Sequence, residues 1–231
     1  MKAIILAAGK GERLKNITKT IPKPMLKFKG KSLLEHNINL CIKFGINEIF
    51  INTHHLPDII KDYFGNGEKF NVSIKYSYER ELLGTSGALN NFKSELGNEP
   101  FFILYGDNVS DINLDLLKKK AIQSDALATI AFHYREDVST SGVAEFGENE
   151  AIVRFIEKPK IGETDSHWVN AGIYYFQSDI FNYIPDGFSD FGKDIFPSLL
   201  NMGKKMYGLC QKSTVKAFDT LDMYKKNTNR K

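Results

Sequence analysis

Two glycines and an arginine stand close together near the start of the chain, in Leu6-Ala7-Ala8-Gly9-Lys10-Gly11-Glu12-Arg13-Leu14. Glycine lets a backbone bend sharply and approach a ligand closely. Free N–H groups in such a bend can cradle phosphate oxygens, and a guanidinium offers a planar fork that matches phosphate. Further on, Ile21-Pro22-Lys23-Pro24-Met25 brackets Lys23 with two prolines that stiffen the backbone around it. A rigidly held cation there could face the same phosphates. Asp107 follows the apolar run Phe101 to Tyr105 with only Gly106 between, and the carboxyl end of a buried strand is where α/β sheets place ligands. Taken singly, each feature has a plain explanation: a βα turn, a solvated lysine, a turn aspartate.

Two familiar phosphate patterns do not fit. The P-loop ends in Gly-Lys-Ser/Thr, which Gly9 to Leu14 lacks, and the dinucleotide fingerprint needs a third glycine where Leu14 stands. The second strand also closes on Asn52-Thr53 rather than on an acid, which disfavours a dinucleotide-binding oxidoreductase. The five histidines, His36, His54, His55, His133 and His167, show no ligand spacing with one another or with Cys41 and Cys210. They read as structural or surface groups.

The elements that must position these residues alternate. Short apolar runs at 2–8, 48–52 and 101–105 read as strands, as does 72–78, where Val72, Ile74 and Tyr76 alternate with Ser73, Lys75 and Ser77. Helical spacing at 32–44 puts Leu34, Ile38, Cys41 and Ile42 on one face before Gly45, and Pro57 opens a helix through Phe64. A further helix follows Gly84-Thr85-Ser86-Gly87, with Thr85 or Ser86 as its cap, and Asp111 is placed to cap one starting near 112. In the second half, 127–134, 143–146, 152–156 and 169–176 read as strands, and 178–184, 191–202 and 220–227 as helices. Strands alternating with helices predict a mostly parallel, Rossmann-like mixed sheet flanked by helices, in one α/β domain over 1–231. The less regular second half predicts a smaller lobe containing antiparallel strands.

Composition narrows the function classes. The chain has 231 residues, 42% hydrophobic and 26% charged, with 31 basic and 28 acidic side chains for a net charge of +3. That balance argues against a nucleic-acid surface. No apolar run approaches the roughly 18 residues of a membrane span. The opening apolar stretch is shorter than the roughly 7 to 15 residues of a secretory signal, so the expected compartment is the cytoplasm. Two cysteines write no disulfide framework.

Taken together, the glycine loop with Arg13 and Leu14, the Pro-Lys-Pro segment, and a series of later motifs resemble the sugar-1-phosphate nucleotidyltransferase family. The later motifs are Leu83-Gly84-Thr85-Ser86-Gly87-Ala88, Gly106-Asp107, Ser141-Gly142-Val143-Ala144-Glu145-Phe146, Phe155-Ile156-Glu157-Lys158-Pro159, Val169-Asn170-Ala171-Gly172-Ile173-Tyr174 and Phe218-Asp219-Thr220. The resemblance covers nearly the whole chain and implies a reaction: NTP and a sugar-1-phosphate give an NDP-sugar and pyrophosphate, with Mg²⁺. It implies Arg13 and Lys23 as the catalytic cations. Leu6, Ala8, Gly9, Gly11, Gly84 and Thr85 would bind the nucleotide, and Gly142, Glu157, Lys158 and Asn170 the sugar phosphate. Asp107 and Asp219 would be the metal ligands. Residues 1–110 would then form the nucleotide half and 111–231 the sugar-phosphate half.

Elementary chemistry agrees with that reaction. The phosphate nucleophile is already an anion, so the obstacle is charge crowding, and cations and positioning relieve it. The segments 81–87 and 190–197 most resemble mannose-1-phosphate and heptose-1-phosphate guanylyltransferases, with GTP as the expected nucleotide. The alternatives are uridylyl, thymidylyl or cytidylyl transfer to glucose-1-phosphate, an amino-sugar or muramic acid phosphate, or another phosphate; a non-catalytic NDP-sugar sensor is more remote. Nucleic acid and membrane are not expected as partners, and a homodimer is left open. Two departures from the family pattern stand out. Glu12 replaces a common threonine and is expected to point to solvent, and no glycine separates Asp219 from Thr220.

Overall fold

The computed structural model describes residues 1–228. The chain forms two compact units: Met1–Leu82 with Leu104–Ser110 and the segment from Val215 onward, and Leu83–Ile103 with Asp111–Thr214. The fold is α/β, with a mostly parallel mixed sheet, flanking helices and small antiparallel sheets.

In the first unit, strands Lys2–Leu6, Glu48–Thr53 and Ser73–Tyr78 run parallel, with Ile4 opposite Phe50 and Phe50 opposite Lys75. Gly106 N donates to Leu6 O at 2.9 Å, so the exit of strand Phe101–Tyr105 lies beside the exit of the first strand. Helix Leu33–Lys43 begins with a reciprocal-cap sequence, Ser32 accepting from Glu35 N at 3.1 Å. Its buried face includes Leu34, Ile38 and Cys41 as expected, but Ile42 is 38% exposed. Leu33, Glu35, Asn37 and Leu40 take the remaining buried positions, so the buried stripe is wider than expected and turned away from Ile42. Helix Pro57–Phe64 has its expected bounds, and Leu56 before it sits at φ +50°, a left-handed conformation costly for a leucine.

Two short strands unmarked in the sequence decide where the chain's last segment goes. Val215–Ala217 pairs antiparallel with Asn108–Ser110. Phe218, just beyond, is buried with Leu14, Leu26, Phe28 and Leu33, and Tyr224 packs against that cluster. Burial of an aromatic side chain stabilises by roughly 1.5–3 kcal/mol, which anchors Asp219 beside the N-terminal loops. Thr220 accepts from Met223 N at 3.2 Å and starts helix Leu221–Thr228.

In the second unit, strand Trp168–Phe176 pairs antiparallel with Ala128–Tyr134 and with Gly142–Phe146, and the latter pairs with Ile152–Glu157. Met206–Gln211, not expected from the sequence, adds a strand parallel to Ala128–Tyr134. Its Gly208 leaves room for the rings of Phe132 and Phe146. Tyr174, Phe176, Phe191 and Phe196 form an aromatic core. The expected helix at 191–202 opens as a wide five-residue turn, Phe191–Ile195, before Phe196–Asn201. Two expected caps are corrected. Neither Thr85 nor Ser86 caps the helix Gly84–Gly87, which follows Leu83 without a side-chain cap. Asn113, not Asp111, caps Leu114–Ser124, because Asp111 accepts from Thr214 N at 2.7 Å instead.

Among the described residues no helix is long and apolar enough to cross a membrane. Cys41 and Cys210 are free thiols.

Candidate active site

The first unit gathers the charged candidates. The rigid Pro22-Lys23-Pro24 turn buries Lys23, whose Nζ donates to Asp107 Oδ2 at 2.5 Å and to Asp219 Oδ1 at 2.6 Å. Arg13 Nη2 lies 3.4 Å from the same Asp219 oxygen, with its side chain 66% exposed. Four residues from three distant stretches of chain therefore meet at one point. Burial alone would push the Lys23 ammonium down, but the charges of Asp107 and Asp219 and their hydrogen bonds outweigh it and hold it above its ordinary range. Glu12 is exposed, as expected.

Gly9 is exposed, with open space where a side chain would stand, and Ala8 is buried. Gly11 has φ +65°, and a Cβ there would lie 2.9 Å from Thr18 Cγ2 and 3.1 Å from Lys23 Cβ. Only glycine suits that position, so the loop and the buried lysine are fitted to one another. The Leu6 carbonyl accepts from Gly106 N.

The second unit holds the remaining candidates. Glu157 pairs in register with Gly142 across the sheet. A Cβ on Gly142 or Gly192 would lie 2.9 or 2.5 Å from Glu157 Oε2, so two glycines frame this carboxylate. Burial and the neighbouring charge of Asp190 raise its pKa above the usual glutamate range, against the smaller pull of Lys158 and Lys193. Lys158 is exposed at φ +55°, a left-handed backbone for which lysine has no intrinsic preference. Asn170 spends its amide locally: Nδ2 donates to Tyr174 Oη at 2.8 Å and Oδ1 accepts from Gly172 N at 2.9 Å, where the strand register shifts.

Thr85 is likewise engaged. Its Oγ1 donates to Asp190 Oδ2 at 2.9 Å and accepts from Phe191 N at 2.9 Å. Ser86 N donates to Ser189 O at 3.1 Å, and Gly84 and Gly87 leave no space for a Cβ against Ser189 O and Gly187 O. The segment 83–87 is thus strapped to 187–191. The strap engages the Thr85 hydroxyl, the N–H groups of Ser86 and Gly87 and the Leu83 carbonyl. Sequence reasoning missed Asp190 as the organiser of this strap. The signal was a Ser-Asp pair ahead of a helix, which reads as an ordinary cap.

The fold is that of α/β nucleotidyltransferases. The crystal structure of a Bacillus anthracis protein described as a glucose-1-phosphate thymidylyltransferase superposes with a TM-score of 0.88 at 25% identity, covering 99% of this chain and 94% of that one. Residues 2–216 match the nucleotidyl transferase family, and the chain belongs to it. It is 37% identical over 223 residues to a UTP–glucose-1-phosphate uridylyltransferase of Synechocystis, a match covering 90% of this chain and 58% of that relative's length. It is 36% identical over 184 residues to the D-glycero-alpha-D-manno-heptose 1-phosphate guanylyltransferase of Campylobacter jejuni, covering 79% of this chain and 78% of that relative.

Proposed function

We propose that this chain transfers a nucleotidyl group from an NTP to a sugar-1-phosphate, releasing pyrophosphate. The observation that carries the reading is the convergence of Lys23, Arg13, Asp107 and Asp219 beside a glycine loop, in a chain whose relatives bear the names of such enzymes. On this reading Lys23 and Arg13 hold triphosphate oxygens and balance the charge that builds around the α-phosphorus. Backbone N–H groups of Ala8, Gly9 and Gly11 orient the nucleotide, with Leu6 at the loop's start. Gly84 and Thr85 present main chain to the base. Glu157 and Asn170 bond sugar hydroxyls beside Gly142, and Lys158 takes the sugar phosphate. Residues 1–110 serve as the nucleotide half and 111–231 as the sugar-phosphate half.

The donor set fits Mg²⁺. Asp107 and Asp219 offer hard carboxylate oxygens that already converge on one cation, the Lys23 ammonium. No group of three or more His, Cys, Asp or Glu able to hold a metal occurs among the described residues. Two carboxylates suit an ion that keeps several waters and phosphate oxygens. When bound, Mg²⁺ would supply charge neutralisation at the phosphates.

For the substrate pair we propose GTP with mannose- or heptose-1-phosphate, supported by the likeness to the heptose-1-phosphate enzyme over most of its length. The second reading is UTP with glucose-1-phosphate, favoured by the 37% identity to the uridylyltransferase. A reaction that consumes NTP belongs where NTP is held, which is the ground for a cytoplasmic enzyme. The test is a grid of five NTPs against mannose-, heptose- and glucose-1-phosphate with Mg²⁺, read by pyrophosphate release. Release that needs both substrates supports the reading, and the pair turned over fastest decides between the two specificities. No release from any pair overturns it.

A further inference from the structure

The glycine loop is held from below by a segment to which the family resemblance gives no role. Asn52, the penultimate residue of strand Glu48–Thr53, is 2% exposed. Asn52 Oδ1 accepts from Ala7 N at 2.7 Å, and Asn52 Nδ2 donates to Glu79 Oε1 at 2.7 Å. Glu79 is itself 2% exposed, one residue beyond the neighbouring strand Ser73–Tyr78. A buried carboxylate thus orients an amide, and the amide fixes the first N–H of the loop.

Three residues on, His55 reaches the loop's other end. Its Nε2 lies 2.6 Å from Thr18 O. A carbonyl only accepts, so this nitrogen carries the hydrogen. Thr18 in turn donates from Oγ1 to Gly11 O at 3.0 Å, and its methyl fills the space beside Gly11. Leu56, the next residue, has φ +50°. A leucine in a left-handed backbone persists where its surroundings over-determine it.

We propose that Asn52 and His55 are positioning residues that clamp the two ends of the loop Ala7–Gly11, Glu79 orienting Asn52, so that the loop's N–H groups are preset for the phosphates of the nucleotide. The functional half of this inference rests on the nucleotidyltransferase reading; the clamp itself does not. Its energetic sense is preorganisation: a loop fixed before binding loses less freedom when the nucleotide arrives.

The test combines hydrogen exchange of the free protein over residues 7–18, read by mass spectrometry, with steady-state kinetics on the substrate pair that the grid finds active. Asn52→Leu removes the acceptor for Ala7 N–H, and His55→Phe removes the donor to Thr18. Each should speed exchange in this stretch about tenfold or more, raise KM for NTP about tenfold, and leave KM for the sugar phosphate within about twofold. His55→Gln supplies an N–H again and should recover most of the lost protection. Exchange equal to wild type in both variants overturns the clamp. If Asn52→Leu does not fold, the His55→Phe and His55→Gln pair decides by the same criterion. Faster exchange with KM for both substrates rising equally overturns its role in nucleotide binding. An inactive wild-type protein with faster exchange in the variants defeats the enzymatic reading while the clamp stands.

Discussion

Replacing Lys23 by methionine keeps the length of the stem and removes the charge. Lys23 is 8% exposed at its side chain, and its ammonium is the cation between Asp107 and Asp219, which are 30% and 32% exposed. Stripping one partner from a fully buried pair costs roughly 3–5 kcal/mol. Water reaches both aspartates here, which reduces the expected loss to about 1–2 kcal/mol. The sign with pH follows from which groups are charged. In the wild type the ammonium titrates above its ordinary value of 10.5. Its stabilising contribution is therefore fully present below pH 10.5 and is lost only as pH rises through the raised value. In Lys23→Met the deficit comes from Asp107 and Asp219 losing the ammonium they share, while Arg13 stays beside Asp219. Urea unfolding of both proteins at pH 7 measures this directly. A deficit absent at pH 7 refutes the reasoning. The same variant should lose about a hundredfold or more in kcat, because a cation aimed at the reacting phosphates serves the transition state.

Lys158→Ala should raise KM for the sugar phosphate much more than KM for NTP, and equal rises would remove Lys158 from the sugar-phosphate site. Gly192→Ala should displace the Glu157 carboxylate at little cost in stability while raising KM for the sugar phosphate; unchanged kinetics would show that the carboxylate is not used. Burial and the Arg135 charge lower the His133 pKa from 6.5 to about 4. Protonation then favours the unfolded chain, so stability should fall as pH drops from 6.5 towards 4, by at most about 1.4 kcal/mol per pH unit from this group. His133→Gln should flatten that slope, and an unchanged slope contradicts the assignment. Asp219→Asn should lower stability by about 1 kcal/mol, because the buried Lys23 ammonium loses one of its two counter-charges while Thr220 still supplies the helix cap, and it should lose most of kcat and need more Mg²⁺. Full activity at low Mg²⁺ would make Asp219 structural.

Legibility differed between the backbone and the site. Strand Phe101–Tyr105 and helix Pro57–Phe64 were readable to the residue because apolar runs, proline and glycine mark their ends locally. Strand Met206–Gln211 was not, since Gly208 and the polar Gln211 break the pattern and its partner strand lies far away in sequence. Among the candidates, Lys23, Asp107 and Asp219 could be nominated from local motifs. Their meeting depends on the pairing of Val215–Ala217 with Asn108–Ser110, two three-residue strands with no periodic signature. Asn52, His55 and Asp190 were passed over for a related reason. Their side chains matter through hydrogen bonds to residues 45, 37 and 105 positions away, which no local spacing encodes. Thr85 shows the converse, a motif residue whose hydroxyl the fold has already committed.

The central claim is that one phosphorus–oxygen bond is made for each one broken, between an NTP and a sugar-1-phosphate. The direct measurement is ³¹P NMR of a single reaction with Mg²⁺ and the substrate pair found active, followed until the nucleotide is consumed in the presence of pyrophosphatase. The expected result is a diphosphate doublet of an NDP-sugar growing in step with loss of the sugar-1-phosphate resonance, and absent when the sugar phosphate is omitted. Conversion of the NTP to NDP or NMP with the sugar-1-phosphate signal unchanged would contradict nucleotidyl transfer.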